Sequence, residues 1–228
     1  MSPKKATLDK DLDKILRLET ATKILSSGLV AHTSALLFLI TAGFIGAFFT
    51  GVETEKAIIV FAAILGGYMA LNIGANDVAN NVGPAVGSKA MSIFAALLMA
   101  AVFESAGALL AGGDVVSTIS KGIIDPELVP NNKMFINAMM AALMAAAVWV
   151  NLATVLGAPV STTHAVVGGV MGAGIAAVGF QLVNWNMMAA IAASWVISPV
   201  LGGIIAALFL AFIKVNLIYK EDKILAAN

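Results

Sequence analysis

The segment Gly74-Ala-Asn-Asp-Val-Ala-Asn-Asn-Val-Gly-Pro-Ala-Val-Gly87 places Asn76, Asp77, Asn80 and Asn81 directly after an apolar stretch. At membrane depth a carboxylate costs roughly 2.5 to 3.5 kcal/mol on insertion scales, so such a residue marks a functional site or faces water. The pairs Asn76/Asn80 and Asp77/Asn81 are four residues apart, which on a helix gives two adjacent faces that supply oxygen atoms to one site. The bracketing glycines and proline predict a broken or re-entrant helix.

A second polar segment, Gly157-Ala-Pro-Val-Ser-Thr-Thr-His164, precedes a run rich in glycine and alanine. Pro159 lacks an amide hydrogen and favours an extended residue before it, whereas Ser161 and Thr162 are good helix N-cap residues. We therefore predict a half-helix that begins at about residue 162. Its free N–H groups and positive dipole end would point into the membrane, the arrangement by which discontinuous helices hold anions.

The composition around these segments is that of a membrane protein. Of the 228 residues, 60% are hydrophobic and only 11% are charged, which is more apolar surface than a soluble domain of this size buries. A bilayer core of about 30 Å needs roughly 20 apolar residues per helical span. The sequence therefore predicts an all-α integral membrane protein with about six transmembrane helices, over residues 34–51, 57–73, 91–112, 134–157, 165–180 and 187–213.

The charges predict orientation and argue against other classes of protein. The net charge is zero and there is no cysteine, so the sequence supports neither nucleic-acid binding nor a thiolate metal site. Basic residues cluster before the first apolar run and after the last one, which by the positive-inside rule predicts that both ends lie in the cytoplasm of a multi-pass plasma or inner membrane protein. These residues are Lys4, Lys5, Lys10, Lys14, Arg17 and Lys23 at the start, and Lys214, Lys220 and Lys223 at the end.

Small residues recur four apart within the predicted spans, for example Ala142 with Ala146 and Gly168 with Gly172. This spacing predicts close approach of neighbouring membrane helices. Ahead of the spans, residues 1–33 are polar, lack the apolar core of a signal peptide and repeat leucine and isoleucine at helical spacing from Thr7 onward. They predict a surface amphipathic helix that stays on the protein.

The two polar segments contain no arginine, and Lys89 is the basic side chain nearest to them in sequence. A bound anion would have to be met by helix N-termini, hydroxyls, amides and a co-bound cation. Asp77 beside an anion is repulsive unless Na⁺ or H⁺ neutralises it, so cation and anion are expected to bind together. Glu104 lies mid-span and should face a cavity or a partner group. His164 has open roles: orienting the hydroxyls, titrating, or bonding a carbonyl.

The residues alone leave two other classes open. Ser161, His164 and Asp77 have the side chains of a hydrolase triad, although triads are recognised by geometry and no Gly-x-Ser-x-Gly elbow surrounds Ser161. The other alternative is a channel-like or structural membrane subunit that needs a partner half. Saturable, cation-dependent uptake would separate a carrier from a channel.

Gly74-Ala-Asn-Asp-Val-Ala-Asn80 and Pro159-Val-Ser-Thr-Thr-His164 resemble the two signature motifs of the PiT family of inorganic phosphate transporters. Phe103-Glu104-Ser105 and the stretch Ser194-Trp195 to Ser198-Pro199 are supporting similarities. The resemblance implies symport of inorganic phosphate with Na⁺ or H⁺, with no enzymatic activity and no cofactor besides the coupling ion.

Carried over residue by residue, the resemblance implies a set of phosphate and cation ligands with two supporting residues. The ligands are Asn76, Asp77, Asn80, Asn81, Ser161, Thr162 and Thr163, and the supporting residues are Glu104 and His164. For Na⁺ the implied ligands are Asn76, Asp77, Asn80 and Thr162. Which residues hold the ion and which hold the phosphate stays open.

Members of this family have two homologous halves in inverted orientation, and their broken helices meet at the site. This sequence carries each motif once, so it resembles one half of an inverted-repeat transporter, preceded by an extra span. The predicted division is a polar segment 1–33, an extra helix and loop 34–56, a transporter half 57–215 and a cytoplasmic tail 216–228. The expected partners are phosphate, the lipid bilayer, and a second transporter half or further copies of the chain.

Overall fold

The computed structural model describes residues 7–50 and 56–220, with side chains from residue 28 onward. In this part of the chain the backbone is helical apart from short connections, which confirms the predicted all-α class. The helices are α1 (Thr7–Phe49), α2 (Lys56–Ile73), α3 (Ala79–Gly87), α4 (Ile93–Ser117), α5 (Asn132–Val155), α6 (Thr162–Ala177) and α7 (Trp185–Ile213). Single π-helical turns cover Gly74–Val78, Thr118–Gly122 and Lys214–Ile218, and 3₁₀ turns cover Pro126–Leu128 and Phe180–Leu182.

Within the described residues, five helical stretches are long and apolar enough to cross a membrane. They are Gly28–Phe49, Lys56–Gly87, Ile93–Gly122, Asn132–Val155 and Trp185–Ile218. The remaining predicted span, residues 165–180, corresponds to α6, which has 16 residues. At 1.5 Å per residue α6 is about 24 Å long, shorter than the roughly 30 Å bilayer core.

The first helix differs from the prediction in its extent. A polar segment was expected to end at residue 33, but α1 continues without a break from Thr7 to Phe49, and its apolar stretch starts at Gly28. No proline interrupts this stretch, so the change from polar to apolar composition does not break the helix. The amphipathic face predicted before residue 28 lies outside the described side chains.

The interruption predicted at Gly74 is a π turn and does not break the helix. The chain is helical from Lys56 to Gly87, and its backbone hydrogen bonds change from the α to the π pattern at Gly74–Val78. A π turn inserts a residue while keeping the backbone hydrogen-bonded, which a lipid environment favours over an open break. The second interruption is a true break, since the helix stops at Val155 and resumes at Thr162.

The core forms where α5 packs against α6 and α2, while α1 packs on the other side of α2. A cluster with Val150 and Ala147 joins α5 to α2, and a second with Val167 and Val170 joins α5 to α6. The close approach of α5 and α6 occurs at Gly169, where an added Cβ would lie 2.7 Å from the Ala142 carbonyl oxygen.

The predicted small-residue pair on α6 therefore does not lie at the contact with α5. Gly168 and Gly172 were expected at the helix contact, but an added Cβ at either would meet no atom within 4 Å. The α1–α2 contact instead uses Gly46 and Gly67, whose added Cβ atoms would lie 2.9 Å from Ala63 Cβ and 3.2 Å from Ala42 Cβ. Spacing alone fixes which residues share a face, but not which face meets a neighbour.

α4 and α7 lie at the periphery of this core. Leu109 and Leu110 on α4 are 87% and 88% exposed, and no residue of α7 is buried. The connections after α4 and before α7 are better packed. Asn184 N–H donates to the Ile123 carbonyl at 2.9 Å, and Asp125 N–H donates to the Leu182 carbonyl at 3.3 Å. These bonds fix the start of α7 beside the second π turn.

Candidate functional site

Three hydrogen bonds join the two polar segments, and the shortest links the side chains of two predicted site residues. Thr162 Oγ1 donates to Asp77 Oδ2 at 2.5 Å, linking the π turn after α2 to the first residue of α6. Thr162 is buried and Asp77 is half-buried. Because the bond joins positions 85 apart in sequence, it is one of the tertiary contacts that bring the segments together.

The start of α6 agrees with the sequence prediction. Ser161 is extended and its Oγ accepts a hydrogen bond from His164 N–H at 3.3 Å, which makes it the N-cap of a helix that begins at Thr162. The first N–H groups of a helix have no partner within it, and the dipole adds partial positive charge there. The α6 start is therefore a favourable place for an anion.

A cavity of about 660 Å³ opens beside the α6 start. Its polar lining comes from three elements. These are Ser161, Thr162 and Thr163 at the α6 start, Asp114 and Thr118 at the end of α4, and Ser194 and Ser198 on α7. The rest of the lining is mostly aliphatic, and within the described part of the chain no lysine or arginine contributes to it. The cavity thus offers hydroxyls and the Asp114 carboxylate in otherwise apolar surroundings.

Asn76 points into the break between α5 and α6. It is 6% exposed, and its Nδ2 donates to Thr154 Oγ1 at 3.1 Å and to the Ala158 carbonyl at 3.2 Å. Its Oδ1 accepts from Val160 N–H at 3.2 Å. Asn76 and Asp77 therefore contact the two sides of the same interruption, Asn76 before residue 161 and Asp77 after it.

Three further predicted residues, Asn80, Asn81 and Glu104, do not line this cavity. Asn80 is exposed, and Asn81 and Glu104 line a separate groove of about 400 Å³ between α3 and α4. That groove shares no lining residue with the cavity at Thr162. The α-helical spacing of Asn76 with Asn80 predicted a shared side of the helix. The two differ in burial, since Asn76 packs into the α5–α6 break whereas Asn80, one turn further along, is exposed.

His164 packs against an aromatic ring. Its imidazole lies edge-on to Trp195 with the ring centroids 3.8 Å apart and the planes at 85°. The Ser161 hydroxyl is bonded to the backbone of His164 rather than to its ring, and Asp77 is bonded to Thr162. Ser161, His164 and Asp77 are thus not connected in the order that a hydrolase triad requires.

A polar contact between α2 and α5 escaped the sequence analysis. Asn151 Nδ2 donates to Asn72 Oδ1 at 2.9 Å, and Asn72 Nδ2 donates to the Tyr68 carbonyl at 2.9 Å. Asn72 is 5% exposed. Both asparagines lie inside predicted spans, so the same insertion-cost argument that identified Asn76 would have found them.

A cation at this site would depend on few charged ligands. Among the described residues no three His, Cys, Asp or Glu side chains cluster closely enough to hold a metal ion. The oxygen ligands present are the Asp77 carboxylate, backbone carbonyls at the break, and the Asp114 carboxylate and side-chain hydroxyls of the cavity lining. In transporters, unwound backbone and helix ends of this kind coordinate Na⁺ or accept H⁺.

The long apolar helices define an integral membrane protein. Its polar side chains converge on a break in one helix, and such discontinuous helices are typical of secondary transporters. The chain belongs to the phosphate transporter family, whose model matches residues 73–228. The resemblance seen in the two motifs is thereby confirmed.

Relatives and a solved structure agree with this family. A candidate phosphate permease of Helicobacter pylori strain J99 is 51% identical over 217 residues, covering 95% of this chain and 41% of that protein. One of Mycobacterium bovis is 43% identical over 184 residues, covering 76% of this chain and 33% of the other. A solved structure named the sodium-dependent phosphate transporter is 42% identical with a TM-score of 0.70, covering 75% of this chain and 42% of that one. The chain thus spans about two fifths of the length of the H. pylori relative.

Proposed function

We propose that this chain forms one half of a carrier that moves inorganic phosphate across a cell membrane together with a cation. The observation that carries the proposal is the Thr162–Asp77 hydrogen bond, which joins both signature segments beside one hydroxyl-lined cavity. Membership of the phosphate transporter family supports phosphate as the substrate.

The chemistry of the cavity favours an anion that arrives with a cation. Ser161, Thr162 and Thr163 offer hydroxyl donors, and the α6 start adds free N–H groups. These are neutral donors, and the Asp77 carboxylate beside them repels a polyanion. A co-bound cation removes that repulsion, so phosphate and cation fill the site more favourably together than either does alone.

Na⁺ is the proposed coupling ion. Asp77 and Thr162 supply the proposed ligands on the described surfaces. The signature motif also implies Asn76 and Asn80, but the Asn76 amide is hydrogen-bonded within the α5–α6 break and Asn80 is exposed. The similar solved structure is named sodium-dependent, which favours Na⁺ over H⁺. A Thr hydroxyl that donates to a carboxylate can turn its lone pairs toward a metal ion instead, so Na⁺ would replace the Thr162–Asp77 hydrogen bond.

The remaining predicted residues have proposed supporting roles. Asn81 and Glu104 would act from the groove between α3 and α4, and His164 would hold the α6 start against Trp195. The unpacked faces of α4 and α7 would contact lipid or a second half. We propose residues 57–215 as the transporter half, preceded by the 1–33 and 34–56 regions and followed by a tail at 216–228, of which 221–228 lie outside the described residues.

The orientation is proposed from the lysines at both ends. Five long stretches together with α6 give six crossings, which return the chain to the side where it began. A short helix such as α6 is accommodated by local thinning of the bilayer. Both ends would then lie in the cytoplasm, where the positive-inside rule places the basic residues.

Phosphate uptake into proteoliposomes tests this function. One preparation contains the 228-residue chain alone. The other contains a chimeric carrier, in which this chain replaces the aligned region of the H. pylori strain J99 relative. Radiolabelled phosphate uptake is measured with an inward Na⁺ gradient, with a pH gradient and with neither.

We expect saturable, Na⁺-driven uptake by the chimeric carrier and none by the chain alone, because half of an inverted-repeat site is missing. Uptake by the chain alone would contradict its half-carrier status while supporting phosphate transport. A chimeric carrier that reaches the membrane but shows no uptake with either gradient would overturn the proposed function. Uptake driven by the pH gradient alone would replace Na⁺ with H⁺.

A further inference from the structure

The break between α5 and α6 contains backbone groups that the two helices do not satisfy. Gly157 has a φ of +68° and Pro159 has no N–H. The bonds that end α5 use the N–H groups of Leu156, Gly157 and Ala158. In the described part of the chain the Ala158 carbonyl and the Val160 N–H find their partner on another helix instead, at the side chain of Asn76.

The side-chain amide of Asn76 hydrogen-bonds the break through both its nitrogen and its oxygen. Asn76 Nδ2 donates to the Ala158 carbonyl and to Thr154 Oγ1, and its Oδ1 accepts from Val160 N–H. An uncharged amide is suited to this task, because it carries donors and an acceptor side by side, whereas a carboxylate only accepts. In apolar surroundings each unsatisfied backbone group is costly, so this contact determines which shape the break adopts.

The same contact fixes the position of the α6 start. Val160 immediately precedes Ser161 and Thr162, the N-cap and first residue of α6. Asn76 immediately precedes Asp77, which binds Thr162. The adjacent residues Asn76 and Asp77 therefore hold the chain on both sides of the N-cap, and both project from one π turn.

We propose that Asn76 is a positioning residue, which holds the α5–α6 break in the shape that presents the α6 hydroxyls, and that it does not bind phosphate or Na⁺ itself. Both Nδ2 hydrogens are used within the protein, Oδ1 already accepts from Val160 N–H, and the side chain is 6% exposed, so it has little left to offer an anion or a cation. The consequence for phosphate rests on the proposed function, whereas the consequence for the break does not.

Hydrogen–deuterium exchange of the full chain in lipid nanodiscs tests this role without phosphate or Na⁺. The peptide of interest covers residues 156–163. Asn76→Ala should raise its exchange about tenfold, because the hydrogen bonds that hold the segment are lost. Asn151→Ala is the matched control: it removes a polar contact between the same two helices, the Asn151–Asn72 bond, without touching the break.

A gentler pair of variants guards against misfolding of Asn76→Ala. Thr154→Val removes one partner of Asn76 and Thr154→Ser retains the hydroxyl. Exchange in residues 156–163 should rise in the valine variant and return to wild type in the serine variant. Unchanged exchange in both Asn76→Ala and Thr154→Val would overturn the proposal. An equal rise in Asn76→Ala and Asn151→Ala would overturn it as well, since it would indicate general loosening of α2 from α5.

Saturating phosphate with Na⁺ then separates positioning from binding in the chimeric carrier. A mispositioned but intact site is shifted back to its competent shape by its ligands, so exchange in Asn76→Ala should fall toward the wild-type value. If Asn76 were a ligand, the variant would show wild-type exchange without phosphate and little protection with it. Absence of any phosphate effect on the wild type would count against the proposed function, while the ligand-free comparison would still decide the role of Asn76.

Discussion

Thr162 donates its hydroxyl hydrogen to Asp77 Oδ2 at 2.5 Å, so the first residue of α6 is tied to the carboxylate on the π turn after α2. This bond partly satisfies the Asp77 carboxylate. A cation that replaced this hydrogen bond would contact both Asp77 Oδ2 and Thr162 Oγ1. The Thr162 hydroxyl hydrogen would then be free to point toward the cavity. The pair therefore offers a simple physical link between cation binding and anion binding.

Asp77→Asn tests the charge at this link. The amide retains the shape and an acceptor for Thr162, but it no longer attracts a cation. In the chimeric carrier we expect Na⁺-dependent phosphate uptake to fall by more than about tenfold, since bonds to charged groups contribute roughly 1.5–3 kcal/mol. Glu127→Gln, a charge-matched change in an exposed turn, serves as the control. Wild-type Na⁺ dependence in Asp77→Asn would remove Asp77 from the coupling mechanism.

Thr162→Val tests the hydroxyl with little change of volume. Valine leaves Asp77 without its donor and without the oxygen that would share a cation. We expect the Na⁺ concentration at half-maximal uptake to rise about tenfold, equivalent to about 1.4 kcal/mol. Thr162→Ser should stay close to wild type because it keeps the hydroxyl. The interpretation fails if serine and valine behave alike.

Glu104→Gln tests whether the two cavities act separately. The groove that Glu104 lines shares no lining residue with the cavity at Thr162. The free-energy effects of changes at two sites without shared partners add within about 0.3–0.5 kcal/mol, so a change at Glu104 should alter cation binding at Thr162 by no more than that. The Na⁺ concentration at half-maximal uptake should therefore change by less than about twofold, even if maximal uptake falls. A large shift in that concentration would show that Glu104 belongs to the cation site.

Gly169→Ala tests the close approach of α5 and α6. The new Cβ would lie 2.7 Å from the Ala142 carbonyl oxygen, a backbone atom that cannot move without shifting α5. We expect a loss of about 1–3 kcal/mol and a lower melting temperature in detergent. Gly168→Ala meets no atom within 4 Å and improves helix propensity, so it should be neutral or stabilising. The packing description would be contradicted if the two variants melted alike.

The sequence predicted most of the secondary structure because its signals are local. Apolar length defined the spans, and Pro159 with the cap residue Ser161 set the start of α6 at Thr162. The continuation of α1 through residue 33 was not predicted, since a change in polarity marks where a membrane begins and not where a helix ends.

The candidate site was only partly predictable from the same signals. The free-energy cost of placing polar side chains in a membrane identified Asp77 and Asn76 as candidate functional residues. The helix-capping pattern identified Ser161 and Thr162. The spacing of Asn76 with Asn80 did not predict that only Asn76 is buried, because spacing along one helix does not say where a neighbouring segment packs against it. Asn72 and Asn151 carried the insertion signal but not the information that they face each other.

By itself, the sequence determined that this is a helical membrane protein of the phosphate transporter family and where its helices are interrupted. Those properties depend on composition and on residues near one another in the chain. The tertiary structure alone decided that Asp77 meets Thr162, that Asn76 turns toward the α5–α6 break, and that Gly169 rather than Gly168 meets α5. These depend on how each helix is rotated against its neighbours, which is set by contacts between residues far apart in sequence.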